Sequence, residues 1–435
     1  MSAFQVAFSG GGFRAAFFCL GAYRRLVELG VHDQVKLISS VSGGSITAAL
    51  IMKELAKGTF HDTADFDARV GRKLVRFGKA GFRNRVLRQA YTPFRSPLRP
   101  FLPRARFSRT SPIVFDQRLL GRELLDDTGR RSMELHDLPE EPKWICNATN
   151  LQTLKRFSFS RDTLADEVFG TSKEVDGITV ADAVAASSAF PLLFEPVRLN
   201  IKERPFSLMR EDYSHFLLTD GGVYDNIGSE ELLLDAEGEG KERVPYMMFD
   251  ASARQSLWPP KEWQWWGKRQ LRIMNVSMDQ VAELRKRLIR KHTGIGVQLL
   301  NVETINENKQ FQTTYWVKYL QERSLPNQLQ LPEYSEEYEE IERMLARVRT
   351  DLDRFHDIEI GMLMWAGAMR ADLGFKVLQS LGALQAPPGS PPVSDVPKRT
   401  DYVSERYSRM EIRRKLRRSH KRCLFRLHRR ARVLT

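Results

Sequence analysis

The chain has 435 residues, 42% of them hydrophobic and 28% charged, with three cysteines and a net charge of +14. That length buries one large core or two ordinary ones. No apolar run reaches the roughly 18 residues that span a bilayer, and Cys19, Cys146 and Cys423, odd in number and widely spaced, exclude a disulfide framework or a zinc site and suit a reducing compartment.

The opening Met1-Ser2-Ala3-Phe4-Gln5-Val6 has no basic stretch ahead of an apolar one, so the protein is expected on the cytosolic side. The charge is uneven. Ala68 to Arg109 holds thirteen Lys/Arg and no acid, and Arg406 to Arg432 holds thirteen more against Glu411 alone. The remainder is net acidic. Two basic attachments on such a body point to an anionic partner, a membrane surface or nucleic acid, unless they are solvated faces.

In chain order, Phe4 to Phe8 reads as an apolar strand running into Ser9-Gly10-Gly11-Gly12, and Phe13 to Leu29 has helical periodicity closed by Gly30. Val35 to Val41 reads as a second strand and Ser45 to Lys57 as a second helix. Such a βαβα run implies a parallel sheet covered on both faces. The basic stretch 68–109, with prolines 93, 97, 100 and 103, reads as a surface insertion. Strand character resumes at Lys143 to Cys146, Leu154 to Ser160, His215 to Thr219 and Val244 to Phe249, with a small-residue helix from Val180 to Ala189. Ile341, Leu345, Val348, Leu352 and Phe355 predict an amphipathic helix over 335–356, followed by another from about Ile358 to Ser380. Residues 1–384 are expected to form the folded body, 385–397 a Pro-rich linker and 398–435 a basic tail.

Three glycine turns carry the chemistry. Ser40-Val41-Ser42-Gly43-Gly44-Ser45 joins a strand to a helix, where a sharp turn lifts Ser42 out and the helix N-terminus favours negative charge beside it. Small residues two positions either side, Ser40 and Gly44, let the elements pass closely. An ordinary βα turn has the same local pattern. Gly10-Gly11-Gly12-Phe13-Arg14 also joins strand to helix, and glycines there can turn amides toward a developing oxyanion. Arg14 would orient an anionic headgroup or brace the loop. Gly10-x-Gly12-x-x-Ala15 fits a dinucleotide fingerprint too, but the next strand ends in Ser39-Ser40-Val41-Ser42 without the acid that would hold a ribose. The third turn follows Asp220 in Thr219-Asp220-Gly221-Gly222. A desolvated Asp can take a serine proton, although an Asp-Gly turn at a strand end is common. His215 shares a strand with Asp220 at odd spacing and faces the other way, and His32 sits at the far end of its strand, so neither completes a triad.

In this order and context the three turns resemble the patatin-like phospholipases: Gly10-Gly11-Gly12-x-Arg14, then Ser40-x-Ser42-x-Gly44, then Asp220-Gly221-Gly222. Ala186-Ser187-Ser188-Ala189-Phe190-Pro191 and Asp225-Asn226 are similar to that family as well. The resemblance covers about residues 1–250. It implies a three-layer α/β/α fold with a mostly parallel sheet, and hydrolysis of lipid acyl esters by a Ser42–Asp220 dyad through an acyl-enzyme. Oxyanion donors would come from Gly10, Gly11, Gly12 and Gly43. Ser40 and Ala15 depart from the family's usual glycines. It implies no cofactor, and the sequence offers no metal site.

A lipase must meet an interface. Trp258, Trp263, Trp265 and Trp266 precede Lys268 and Arg269, a pairing favoured at headgroup level, or else the indoles pack under a helix. Phe77, Phe82, Leu87, Phe94 and Phe101 among the insertion's arginines, and Ile412, Leu416, Leu424, Phe425 and Leu427 in the tail, fit surfaces that dip into anionic lipid. No nucleic-acid fold signature accompanies the arginines, so peripheral membrane association is the expectation over nucleic acid. A latent, ligand-activated effector on the same fold is the alternative.

Overall fold

The computed structural model describes residues 3–83, 124–126, 129–191, 194–210, 213–237, 244–252, 266–289, 294–298, 336–380, 382–385, 387 and 396–419. The elements in order are β1 (Phe4–Phe8), α1 (Gly12–Glu28), β2 (Val35–Val41), α2 (Gly43–Leu55), α3 (Thr63–Phe66), α4 (Arg72–Ala80), β3 (Leu124–Asp126), β4 (Gly129–Arg131), β5 (Lys143–Asn150), β6 (Lys155–Phe159), β7 (Leu164–Asp166) and β8 (Gly170–Ser172). Then come α5 (Val180–Ser187), β9 (Val197–Asn200), β10 (His215–Asp220), α6 (Gly222–Asp225), α7 (Glu230–Glu237), β11 (Tyr246–Asp250), α8 (Trp266–Ile289), β12 (Gly294–Gln298), α9 (Glu336–Ala346), α10 (Asp357–Ser380) and α11 (Arg409–Ser419).

Among the described residues ten strands form one sheet, ordered β12-β11-β1-β2-β5-β6-β7-β8, with β10 joined to β5 and β9 to β10. The run from β12 to β5 is parallel, and the pairings of β6, β7, β8, β9 and β10 are antiparallel. β1 shows why the sheet is covered twice. Phe4, Val6 and Phe8 enter a core shared with α1, α2 and α10, while Ala7 enters a second cluster with Leu232 and Leu233 of α7 and Ala282 of α8. Period-two alternation with both faces apolar requires a helical layer on each side. The architecture is the expected three-layer α/β/α arrangement with a mostly parallel sheet. α1 and α10 are also tied by a buried ion pair, Arg25 Nη2 to Asp372 Oδ1 at 2.6 Å.

Three expectations change. The helix expected over 335–356 stops at Ala346, where Arg14 Nη1 donates to the carbonyl of Ala346 (3.0 Å), an orphan acceptor of the last turn, and to that of Val348 (3.1 Å) just beyond it. Val348, Leu352 and Phe355 are buried from an irregular segment instead. Within the basic insertion, Phe77 and Phe82 are core residues rather than membrane-facing ones: Phe77 packs edge-on to Phe13 at 5.7 Å and Phe82 lies 6.1 Å from Phe194. Lys73 there pairs with Glu54 at 2.6 Å. Leu87, Phe94 and Phe101 lie outside the described residues, as do Leu424, Phe425 and Leu427 of the tail and Trp258, Trp263 and Trp265. Packing also continues past 384. Val403, Ile412 and Leu416 are buried, Trp365 Nε1 donates to Pro397 O at 2.9 Å, and Arg413 and Arg417 reach Glu340 at 2.8 and 2.9 Å. The i, i+4 pair Ile412/Leu416 gives α11 an apolar stripe that docks on the body. Among the described residues no helix is long and apolar enough to cross a membrane.

Candidate active site

β2 ends at Val41 and α2 begins at Gly43, leaving Ser42 between them at φ 49°, ψ −117°. A non-glycine residue there costs roughly 1–3 kcal/mol and persists only when neighbours over-determine it. They do. Ser42 N–H donates to Ser187 Oγ at 2.9 Å, Gly44 N–H to Ser9 O at 3.1 Å, and Ile46 N–H returns to Ser42 O at 3.2 Å. Ser187 Oγ in turn donates to Asn147 O at 2.6 Å and lies 2.9 Å from Ser45 Oγ. Ser40, where the family pattern has glycine, accepts from Trp144 Nε1 at 2.9 Å and from Ser45 Oγ at 3.0 Å, so its hydroxyl satisfies a buried indole beneath the turn.

The register along β5 brings the third turn to the first. β2 pairs with residues 143–147 of β5 and β10 with residues 148–150, while β6 holds the opposite edge at 146–150. β2 and β10 therefore share one edge of β5 and approach from opposite directions, Val41 opposite Asn147 and Asp220 opposite Ala148. Their tips abut. Ser42 Oγ donates to Asp220 Oδ2 at 2.7 Å, and Gly222 N–H donates to Oδ1 at 2.7 Å. Asp220 is 1% exposed and Ser42 8%. Burial pushes the Asp220 carboxyl up from 3.8 to about 6, against the opposing bonds from Ser42 and Gly222. Neither histidine is near this pair in bonding terms: His215 Nδ1 contacts Arg198 and Ser214, and His32 Nε2 contacts Phe60 O.

The glycine loop closes the third side. Gly11 (φ 132°) and Gly12 (φ 56°) adopt backbone that side chains avoid, and a Cβ on Gly43 would overlap the Gly12 carbonyl, so loop and elbow touch. The amides of Gly11, Gly12 and Gly43 make no hydrogen bond among the described residues. Two are first-turn donors of α1 and α2, whose N-termini both open beside Ser42. Gly10 differs from the expectation: its N–H donates to Asn226 O at 2.8 Å and is not available to an oxyanion, and a Cβ there would collide with the Asn226 side chain. Arg14 is buried, and its bonds to Ala346 and Val348 are those of a brace. Burial pulls it down to about 10, opposed by Asp250 and Asp279, so it stays charged at neutral pH.

The sequence profile described as patatin-like phospholipase matches residues 6–233, just over half of the chain. The chain belongs to the patatin-like phospholipase family. The matched range contains the end of β1, the glycine loop, Ser42 and Asp220. Two solved structures are similar to this patatin-like chain. Human GIVD cytosolic phospholipase A2 is 14% identical over 58% of this chain and 46% of its own, with a TM-score of 0.38. VipD from Legionella pneumophila is 13% identical over 91% of this chain and 93% of its own, with a TM-score of 0.33. The chain spans less than half the length of the human enzyme. No curated protein matches it.

Ser187, Asn147, Ser45 and Trp144, which hold the elbow from below, did not stand out as site residues. Ser187 had a signal in the Ala186-to-Pro191 stretch, but its bond to Ser42 spans 145 positions and depends on where α5 packs.

Proposed function

We propose that the chain is a serine carboxylic ester hydrolase acting on phospholipids or other acyl lipids at an anionic membrane surface. The observation that carries this reading is the buried 2.7 Å hydrogen bond from Ser42 Oγ to Asp220 Oδ2. A carboxylate raised to about 6 is ionised at neutral pH yet basic enough to take a hydroxyl proton.

Asp220 takes the Ser42 proton as Oγ attacks the ester carbonyl. The tetrahedral oxyanion accepts hydrogen bonds from the Gly11, Gly12 and Gly43 amides, preorganised donors at the mouths of two helices. The C–O bond to the lipid alcohol breaks, Asp220 returns the proton to the leaving oxygen, and an acyl-Ser42 ester remains. Asp220 then deprotonates a water that attacks this ester, releasing fatty acid and restoring Ser42. The Ser187 bond keeps the strained turn in place throughout.

A surface for the membrane is supported by α8. Ile273, Val276, Leu284 and Leu288 are 60%, 53%, 57% and 42% exposed on one face of that helix, and Arg269 shares the face. The helix packs beside the dyad turn, where Met278 Cε lies against Gly222. Treatment with a fluorophosphonate probe and peptide mass analysis tests the nucleophile: the adduct is expected on Ser42. A probe that labels another serine, or none while ester turnover proceeds, contradicts the assignment.

A further inference from the structure

Residues 346–355, between α9 and α10, hold the glycine loop from outside. Phe13 N–H donates to Asp351 O at 3.2 Å. Gly12 lies so close to the Thr350 carbonyl that a Cβ would overlap it. Arg14 donates to Ala346 O and Val348 O, and Phe13 packs edge-on to Phe355 with ring centroids 5.7 Å apart. This segment has no strand or long helix to fix its shape.

Arg349 fixes it instead. Its Nε donates to Asp353 Oδ1 at 2.6 Å, Nη2 to Arg354 O at 2.7 Å, and Nη1 to Glu359 Oε1 at 2.8 Å and Ser419 Oγ at 2.8 Å. The guanidinium also lies 4.1 Å over the Phe355 ring. Planar, multi-donor geometry of this kind is what lysine cannot reproduce. Ser419 closes α11, which is docked through Ile412 and Leu416 and through Arg413 and Arg417 to Glu340. A continuous line of contacts therefore runs from the C-terminal helix to the Gly12 and Phe13 backbone.

We propose that Arg349 is a positioning residue for the oxyanion loop, and that α11 sets the loop's position through Ser419. The inference rests on the reading of Gly11, Gly12 and Gly43 as oxyanion donors. Losing the clamp displaces donors rather than substrate contacts, so it lowers kcat and leaves KM nearly unchanged. Misplacement by about 1 Å can cost up to about 100-fold in rate.

The test uses the full chain as wild type, Arg349→Met, Arg349→Lys and Ser419→Ala. Turnover of a short-chain chromogenic ester is divided by sites titrated with a fluorophosphonate, and hydrogen exchange is read at the Phe13 amide. Arg349→Met is expected to lower kcat per titrated site by at least about tenfold with KM within about twofold, Arg349→Lys to recover part of that, and Ser419→Ala to lose about two- to threefold. Phe13 exchange should accelerate in the same order. Unchanged kcat per site in both Arg349→Met and Ser419→Ala overturns the proposal. If Arg349→Met does not fold, Ser419→Ala alone decides. If the wild type hydrolyses nothing, it is the hydrolase reading that fails, and the exchange rates still decide the coupling: unchanged protection at Phe13 overturns it.

Discussion

Asp220 stands opposite Ala148 and Val41 opposite Asn147, so the carboxylate and the candidate nucleophile are brought together by strand register. Their separation is set by the backbone of two rigid strands, with little freedom to adapt. Lengthening the acid by one methylene should therefore fail even though it keeps the charge. Asp220→Glu is expected to lose about 100-fold in kcat through misplacement of the base, read in ester turnover on a folded protein. Near-normal kcat would mean the site tolerates a range of positions and that register is not what fixes it.

The pH profile follows from burial of Asp220, which is raised from 3.8 to about 6. In the proposed mechanism Asp220 acts as base only when ionised, so kcat/KM should climb with pH and level off above about 6. A plateau already reached near 4 would contradict a desolvated base. Stability runs the other way. The folded state holds this proton more tightly than the unfolded chain, so the contribution is fully present below 3.8 and is lost as pH rises through about 6. Asp220→Asn, uncharged throughout, should be more stable than wild type at neutral pH by up to about 3 kcal/mol, measured by urea unfolding.

Ser187 holds the strained elbow from below. Ser187→Ala removes the acceptor of Ser42 N–H and the bond to Asn147 O. Leaving a buried donor unpaired costs about 1–3 kcal/mol, and relaxation of Ser42 from φ 49° should lower kcat about tenfold. Wild-type stability together with wild-type kcat would show that the turn is held by other contacts.

In the proposed reading the exposed face of α8 meets the membrane and Ser42 does the chemistry, so the two can be separated by mutation. Ile273→Asp with Leu284→Asp should weaken binding to anionic phosphatidylglycerol vesicles by about tenfold or more, since each buried aliphatic side chain is worth about 1.5–3 kcal/mol. Hydrolysis of a soluble short-chain ester should be unchanged. Unaltered vesicle binding would place the membrane contact elsewhere.

Much of the fold was legible because its signals are local. β1, α1, β2 and α2 follow from apolar periodicity punctuated by Gly10 to Gly12, Gly30 and Gly43, and Val35–Val41 has the bounds expected of it. Ser42 and Asp220 stood out for the same reason, each beside a glycine turn. What was not legible depends on packing between distant segments. Phe77 and Phe82 sit among arginines in the sequence, and only the position of Phe13 and Phe194 makes them core. The spacing that suggested helix as far as Phe355 is used by an irregular segment once Arg14, more than 330 positions earlier, captures the Ala346 and Val348 carbonyls. Gly10 reads as equivalent to Gly11 and Gly12 in the sequence, but its N–H is already donated to the Asn226 carbonyl.

The most direct test of the central claim is fatty-acid release from anionic phospholipid vesicles by wild type, Ser42→Ala and Asp220→Asn, each checked for folding. The account predicts release by the wild type, and a loss of at least about 1,000-fold in both variants, because nucleophile and base act as a unit. Release by Ser42→Ala at the wild-type rate would contradict it.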